Sequence, residues 1–281
     1  MITLIGADKA SKNFIFPGGE LHLNTEEALA HADYSESGEY DIRADLHSAN
    51  DIMELLLFVN AFRAAKPRVK LHLLLPYLPY ARQDRIANRG EPLSIKVMCD
   101  LINYCNFEEV EVWDCHSDVG LALLNNVVHT PVWSLIEDFI ATREIENNVL
   151  VSPDAGASKK TLKIAQKYNL GIVQASKVRD TKTGNITGTT VDFPHYEKVD
   201  KNFIIVDDIC DGGRTFLELQ KVLRPLTSGK LTLFVTHGIF SNGVKLFDGL
   251  YDEVYTANPW PDVPTKRIAD NLFKLNLNGD F

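Results

Sequence analysis

The chain has 281 residues, 45% of them hydrophobic and 24% charged, as expected for a folded globular protein. Its net charge of −9 argues against a surface that coats nucleic acid or anionic lipid, and no apolar run is long enough to cross a bilayer. The length exceeds that of most single domains and predicts two, of about 140 residues each.

In chain order, MITLIG opens on a strand rather than on the basic-then-apolar pattern of a leader segment, so a cytoplasmic protein is expected. Helix NDIMELLLFVNAFRAA (50–65) and strand KLHLLLP (70–76) follow. Helix SIKVMCDLINYC (94–105) repeats Ile95, Met98, Ile102 and Cys105 at helical spacing, and strand EVEVWDC (109–115) comes next. Beyond it lie strand NVLVSPD (148–154), helix SKKTLKIAQKY (158–168) and strands LGIVQAS (170–176) and NFIIVDD (202–208). Helix RTFLELQKVLRPL (214–226) and strands LTLFVTH (231–237) and DEVYTA (252–257) complete the pattern. Strands apolar on both faces, alternating with helices, predict mostly parallel sheets flanked by helices: an α/β protein. The polar stretch Thr142–Asn148 is the expected join, giving domains 1–142 and 143–281. The polar segment Val178–Lys201 interrupts the rhythm; its Thr-Gly-Asn predicts a hairpin turn in a mobile flap or a β excursion. Cys99, Cys105, Cys115 and Cys210 form no CxxC pair and read as buried free thiols.

The most informative stretch is FIIVDDICDGGRTF (203–216). An all-apolar strand ends on Asp207 and Asp208, and the turn Asp211-Gly212-Gly213-Arg214-Thr215 leads into a helix. Ligands of parallel sheets collect at the carboxyl ends of strands, and a helix start with glycines offers bare N–H groups to an anion. Carboxylates cannot bind that anion, but they suit sugar hydroxyls or a magnesium ion. The arrangement therefore suits a sugar phosphate; the plainer alternative is a structural turn whose aspartates cap the helix.

VDDICDGGRT resembles the ribose-5-phosphate loop shared by type I phosphoribosyltransferases and ribose-phosphate pyrophosphokinases (PRPP synthetases). Other segments resemble the pyrophosphokinases. PYLPYARQDR (76–85), with Arg82, Gln83, Asp84 and Arg85, is similar to their ATP-binding signature, and WDCHS (113–117) to a segment whose histidine, here His116, meets ATP phosphates and metal. VSPDAGASKK (151–160) resembles a metal-organising segment, making Asp154 a candidate beside His116. SKVRD (176–180) resembles the opening of a catalytic flap, with Lys177 and Arg179 at i, i+2 and so on one face of an extended strand. FPGGE (16–20), with Phe16 and Glu20, resembles a segment that reaches adenine across a subunit interface, and NDIMELL (50–56) also matches a family segment.

The resemblance implies two tandem type I phosphoribosyltransferase-like domains, each Rossmann-like, with the site between them, in a homodimer or higher homo-oligomer. It implies a Mg2+-dependent transfer of the β,γ-diphosphate of ATP, the co-substrate, to the anomeric hydroxyl of a ribose phosphate, releasing AMP. Lys177, Arg179 and His116 are then the catalytic candidates, and Asp207, Asp208, Asp211, Gly212, Gly213, Arg214 and Thr215 hold the ribose phosphate. Neither nucleic acid nor membrane is an expected partner.

Three departures stand out. The family's phosphate loop runs Asp-Thr-Gly-Gly-Thr, whereas this one runs Asp211-Gly212-Gly213-Arg214-Thr215. Gly18 replaces an aspartate on the adenine side, and the sequence ends at LNLNGDF, where relatives continue into a helix. A bare position 212 would open space beside the 5-phosphate, and Arg214 offers a fork to further oxygens. ADP-ribose, giving ADP-ribose pyrophosphate for NAD+ salvage, thus stands beside ribose 5-phosphate, giving PRPP, as acceptor. A non-catalytic regulatory homologue is the reading from another class; it would require a disabled flap or metal set, yet Lys177, Arg179, His116 and Asp154 are all present.

Overall fold

The computed structural model describes residues 2–5, 12–33, 38–141, 143, 145–179, 186–192 and 198–277. The chain divides into two compact units, Met1–Thr130 and Pro131–Phe281. This break precedes the expected join at 142/143. The reason is packing: Phe139 lies 5.4 Å from the ring of Phe234 and 5.0 Å from that of Tyr255, so the segment after Thr130 belongs to the second core.

The first unit begins with β1 (Ile2–Leu4), a hairpin of β2 (Lys12–Ile15) and β3 (Leu21–Asn24), and α1 (Glu26–Asp33). It continues with β4 (Glu39–Ala44), α2 (Ala49–Ala65), β5 (Lys70–Leu75), α3 (Ser94–Tyr104), β6 (Glu109–Trp113), α4 (Asp118–Leu123) and β7 (Val127–Thr130). Its main sheet runs β1-β4-β5-β6-β7, with β1 antiparallel to β4 and the remaining pairs parallel. Helix α2 starts where the Ser48 side chain accepts the Asp51 N–H, satisfying one of the orphan donors of a first turn. Its Phe58 and Phe62 stack at 5.4 Å and are fully buried with Leu71, Leu73 and Leu75 of β5.

The second unit contains α5 (Val132–Leu135), α6 (Glu137–Ala141), β8 (Asn148–Ser152), α7 (Ser158–Tyr168), β9 (Gly171–Arg179) and β10 (Ile186–Asp192). Then come β11 (Asn202–Cys210), α8 (Arg214–Leu223), β12 (Leu231–Gly238), β13 (Glu253–Pro259), β14 (Thr265–Ala269) and β15 (Leu272–Leu275). The sheet order is β10-β9-β8-β11-β12-β13-β15-β14. Strands β9, β8, β11, β12 and β13 are mutually parallel, and antiparallel strands flank them. All of β12 is buried, as a central strand covered on both faces must be.

The polar segment after β9 thus returns as β10, a β excursion; its Thr-Gly-Asn turn lies outside the described residues. Helix α8 stops at Leu223, before the expected 226, because Pro225 cannot continue an α-helical ladder and Arg224–Leu226 closes as a 3₁₀ turn. All four cysteines are buried free thiols; burial pushes Cys99 up to about 12 and Cys105 to about 11. No described helix is long and apolar enough to cross a membrane.

Candidate active site

In the second unit the chemistry gathers at the carboxyl ends of β8, β11 and β12. Strand β11 buries Phe203–Val206 and continues past its acids to Cys210, two residues beyond the expected end, because Asp207, Ile209 and Cys210 pair with Val235, His237 and Gly238 of β12. The Asp208 N–H donates to Oδ1 of Asp207 at 3.0 Å. Burial, and then the neighbouring charge of Asp208, hold the Asp207 carboxyl well above the usual carboxylate range; the Asp208 N–H opposes this and Asp154 adds to it. Asp154 therefore shares the electrostatics of this end of the sheet. Its Oδ1 also closes its own turn, accepting from Gly156 N at 3.0 Å and Ala157 N at 3.1 Å ahead of α7.

Lys160, in the first turn of α7, lies 3.9 Å from Oδ2 of Asp208, whose side chain is only 12% exposed. Sequence reading missed this residue. The signal was a cation in a first helical turn, which the helix dipole disfavours.

The acid-glycine turn follows directly. Gly213 takes φ +78°, the left-handed region suited to glycine, and a Cβ there would stand 2.9 Å from Phe247 Cζ. Leu217 and Phe216 donate to Gly213 O, whereas the N–H groups of Gly212, Gly213, Arg214 and Thr215 donate to no described atom. Consecutive bare donors at a helix start are a feature that suits an anion. Phe216 is buried beneath it, and Tyr251 Oη donates to Phe216 O at 2.8 Å. Arg214 is exposed and makes no hydrogen bond or ion pair with the described residues.

The Asp211 carboxylate accepts from Ser241 Oγ at 2.7 Å, which links this turn to the loop after β12. One expectation about the turn needs correcting. The bare position 212 does not leave open space, since a Cβ there would lie 3.0 Å from Asn242 Nδ2. Ser241 and Asn242, on the loop after β12, were invisible to motif reading because no pattern links them to residues so distant in sequence.

In the first unit, Arg82, Gln83, Asp84 and Arg85 occupy the loop between β5 and α3, anchored by buried Leu78 and Ala81. His116 follows β6 and is exposed. Trp113 N donates to Pro76 O at 3.1 Å, tying the end of β6 to the start of the Arg82 loop. Arg43, at the end of β4, holds Asp45 through Nε and Nη2 and lies 5.6 Å from the Trp113 ring centroid. Asp114 is 1% exposed with φ +35°, a backbone conformation uncommon for a non-glycine residue. The ATP candidates of 82–85 and His116 thus share the carboxyl end of one parallel sheet. Phe16 and Glu20 lie apart from that sheet, on the β2–β3 hairpin, where Phe16 N donates to Glu20 O at 2.9 Å.

Lys177 and Arg179 lie at the end of β9, their backbones paired with Thr189 and Ile186. Their side chains fall outside the described set. The two metal candidates fall in separate units, His116 in the first and Asp154 in the second. No three metal-ligating side chains converge among the described residues. The adjacent Asp207 and Asp208 carboxylates are hard oxygen donors of the kind that hold Mg2+ together with substrate phosphates and water.

Residues 15–105 match the model of the N-terminal domain of ribose phosphate pyrophosphokinase. The ribose-phosphate pyrophosphokinase of Mycoplasmopsis pulmonis is 29% identical over 94% of this chain and 79% of its own length. In structure, the phosphoribosylpyrophosphate synthetase of Mycobacterium smegmatis aligns with a TM-score of 0.62 at 23% identity, over 82% of this chain and 73% of that one. That likeness identifies the fold: two phosphoribosyltransferase-like α/β domains. The enzyme of Thermococcus kodakarensis, 31% identical over 80% of this chain and 79% of its own length, carries the same relationship through both units, and the chain belongs to the ribose-phosphate pyrophosphokinase family.

Proposed function

We propose that this enzyme transfers the β,γ-diphosphate of Mg-ATP to the anomeric hydroxyl of a ribose 5-phosphate moiety, releasing AMP. The observation that carries the reading is the row of bare N–H donors at 212–215, set directly after the Asp207–Asp208 pair. The amides receive the 5-phosphate, and the carboxylates face the ribose hydroxyls and the cation. Family membership supports the same assignment.

Each step uses chemistry available in the chain. The acceptor hydroxyl attacks the β-phosphorus, the bond from that phosphorus to the α,β-bridging oxygen breaks, and the hydroxyl proton leaves to solvent or base. Such a transfer needs placement and neutralisation of charge more than covalent help from the protein. Lys177 and Arg179 supply cations to the developing charge, while Arg82, Gln83, Asp84, Arg85 and His116 hold ATP, assisted by Phe16 and Glu20. Mg2+ would neutralise the phosphates when bound; Asp207, Asp208 and Asp154 are candidate contacts in the second unit, and His116 is a separate candidate in the first. A homo-oligomer is the form in which the Phe16–Glu20 hairpin would serve a neighbouring subunit's ATP.

A second reading concerns the acceptor. Arg214 is exposed and has no partner among the described residues, so a 5-diphosphate ester such as ADP-ribose would find a guanidinium for its second phosphate. The case for ADP-ribose therefore rests on that cation and not on room at position 212. Mass spectrometry after incubation with Mg-ATP and either acceptor tests both readings. AMP and a diphosphorylated sugar, formed only when an acceptor is present, support the function, and AMP release that ignores both acceptors overturns it. A selective loss with ADP-ribose in Arg214→Gly would favour the second reading.

A further inference from the structure

The loop after β12 reaches back over the phosphate turn. Ile239 N and Phe240 N donate to Cys210 O at 2.9 and 3.0 Å, and Ser241 Oγ donates to Asp211 at 2.7 Å. Asn242 Nδ2 then donates to Gly212 O at 3.1 Å. In a trans peptide the carbonyl and the next N–H point in opposite directions. Drawing the Gly212 carbonyl toward Asn242 therefore turns the Gly213 N–H away from Asn242, into the row of bare donors.

The glycine at 212 has a matching explanation. Its φ is not in the left-handed region, unlike that of Gly213, so its backbone does not require glycine. A Cβ at 212 would meet Asn242 Nδ2 at 3.0 Å, with Asn242 Cγ and Ser241 Oγ next, each at 4.0 Å. A side chain at 212 would therefore crowd the Asn242 amide.

We propose that Asn242 is a positioning residue for the acceptor: it pins the Gly212 peptide so that the turn presents its N–H groups to the phosphate, and it imposes glycine at 212. This rests on the acceptor reading above and adds a residue that no loop motif contains. Because the pin acts on phosphate binding in ground and transition states alike, its loss raises KM for the acceptor and leaves kcat and KM for ATP near their original values.

The test is a double-mutant cycle on the full-length protein, read by steady-state kinetics with the better acceptor and by calorimetric titration of inorganic phosphate. Asn242→Ala should raise the acceptor KM about tenfold, and Gly212→Ala about fivefold through collision with the amide. The double variant should be no worse than Asn242→Ala alone, since the new methyl then has room. Unchanged acceptor KM and phosphate affinity in Asn242→Ala, or a double variant equal to the product of the two losses, would overturn the proposal. Melting temperatures within a few degrees of wild type distinguish positioning from folding. A wild type that turns over neither acceptor would overturn the acceptor reading alone; the phosphate titration would still decide whether Asn242 holds an anion-binding turn.

Discussion

The ammonium of Lys160 stands 3.9 Å from Oδ2 of Asp208, so a cation in the first turn of α7 is balanced by an acid at the end of β11. The helix dipole works against a cation there, and the Asp208 carboxylate opposes that cost. Lys160→Met should lower kcat/KM for the acceptor by about tenfold, the scale of one charge-assisted contact, with little change in melting temperature. Lys160→Arg should retain most of the activity. A large fall in melting temperature with unchanged kinetics would make the pair merely structural.

Asp207 should make the protein less stable as pH rises. Its folded-state pKa is raised by burial and by Asp208, so the folded protein holds a proton that the unfolded chain releases. Its contribution is fully favourable below the unfolded value of about 4 and is lost as pH climbs through the raised folded value. Asp207→Asn should flatten that decline and raise the melting temperature at neutral pH while reducing turnover by orders of magnitude. Adding Mg2+ should stabilise the wild type more than this variant. Thermal melts across pH, with and without Mg2+, measure all of this; a variant with the wild-type pH slope would remove Asp207 as its source.

Lys177 and Arg179 end β9 immediately before residues 180–185. If they meet the transferring phosphoryl group, Lys177→Ala or Arg179→Ala should reduce kcat about a hundredfold or more and leave the melting temperature nearly unchanged. Near wild-type kcat in both variants would exclude them from the chemistry.

Arg82 and Arg85 lie on the loop at the carboxyl end of β5. Replacing either with alanine should raise KM for ATP more than KM for the acceptor. Initial rates with each substrate varied separately decide this, and an effect confined to the acceptor would mean the two sites are interchanged.

Much of the architecture was legible because parallel strands buried on both faces read as apolar runs; the fully buried β12 is the clearest case. Strand β4 was missed because EYDIRA alternates polar and buried residues, a weaker signal than a continuous apolar run. Helix α7 runs from Ser158 to Tyr168, the limits expected for SKKTLKIAQKY. At the site, the acids and glycines announced a phosphate turn because strand, acid and helix start are adjacent in sequence. Asn242 over Gly212, Ser241 on Asp211 and Lys160 beside Asp208 are contacts between distant segments, and no local pattern encodes them. The space inferred from a missing side chain at 212 was filled from outside the motif.

In the proposed reaction the acceptor's anomeric oxygen takes both terminal phosphorus atoms of ATP in one step. Phosphorus NMR of wild-type protein with Mg-ATP and the acceptor follows this directly. AMP and a sugar 1-diphosphate should accumulate one for one, with two mutually coupled phosphorus resonances, one of them coupled to the anomeric proton. Accumulation of ADP with a sugar monophosphate, or of AMP with free diphosphate and unmodified sugar, would contradict it.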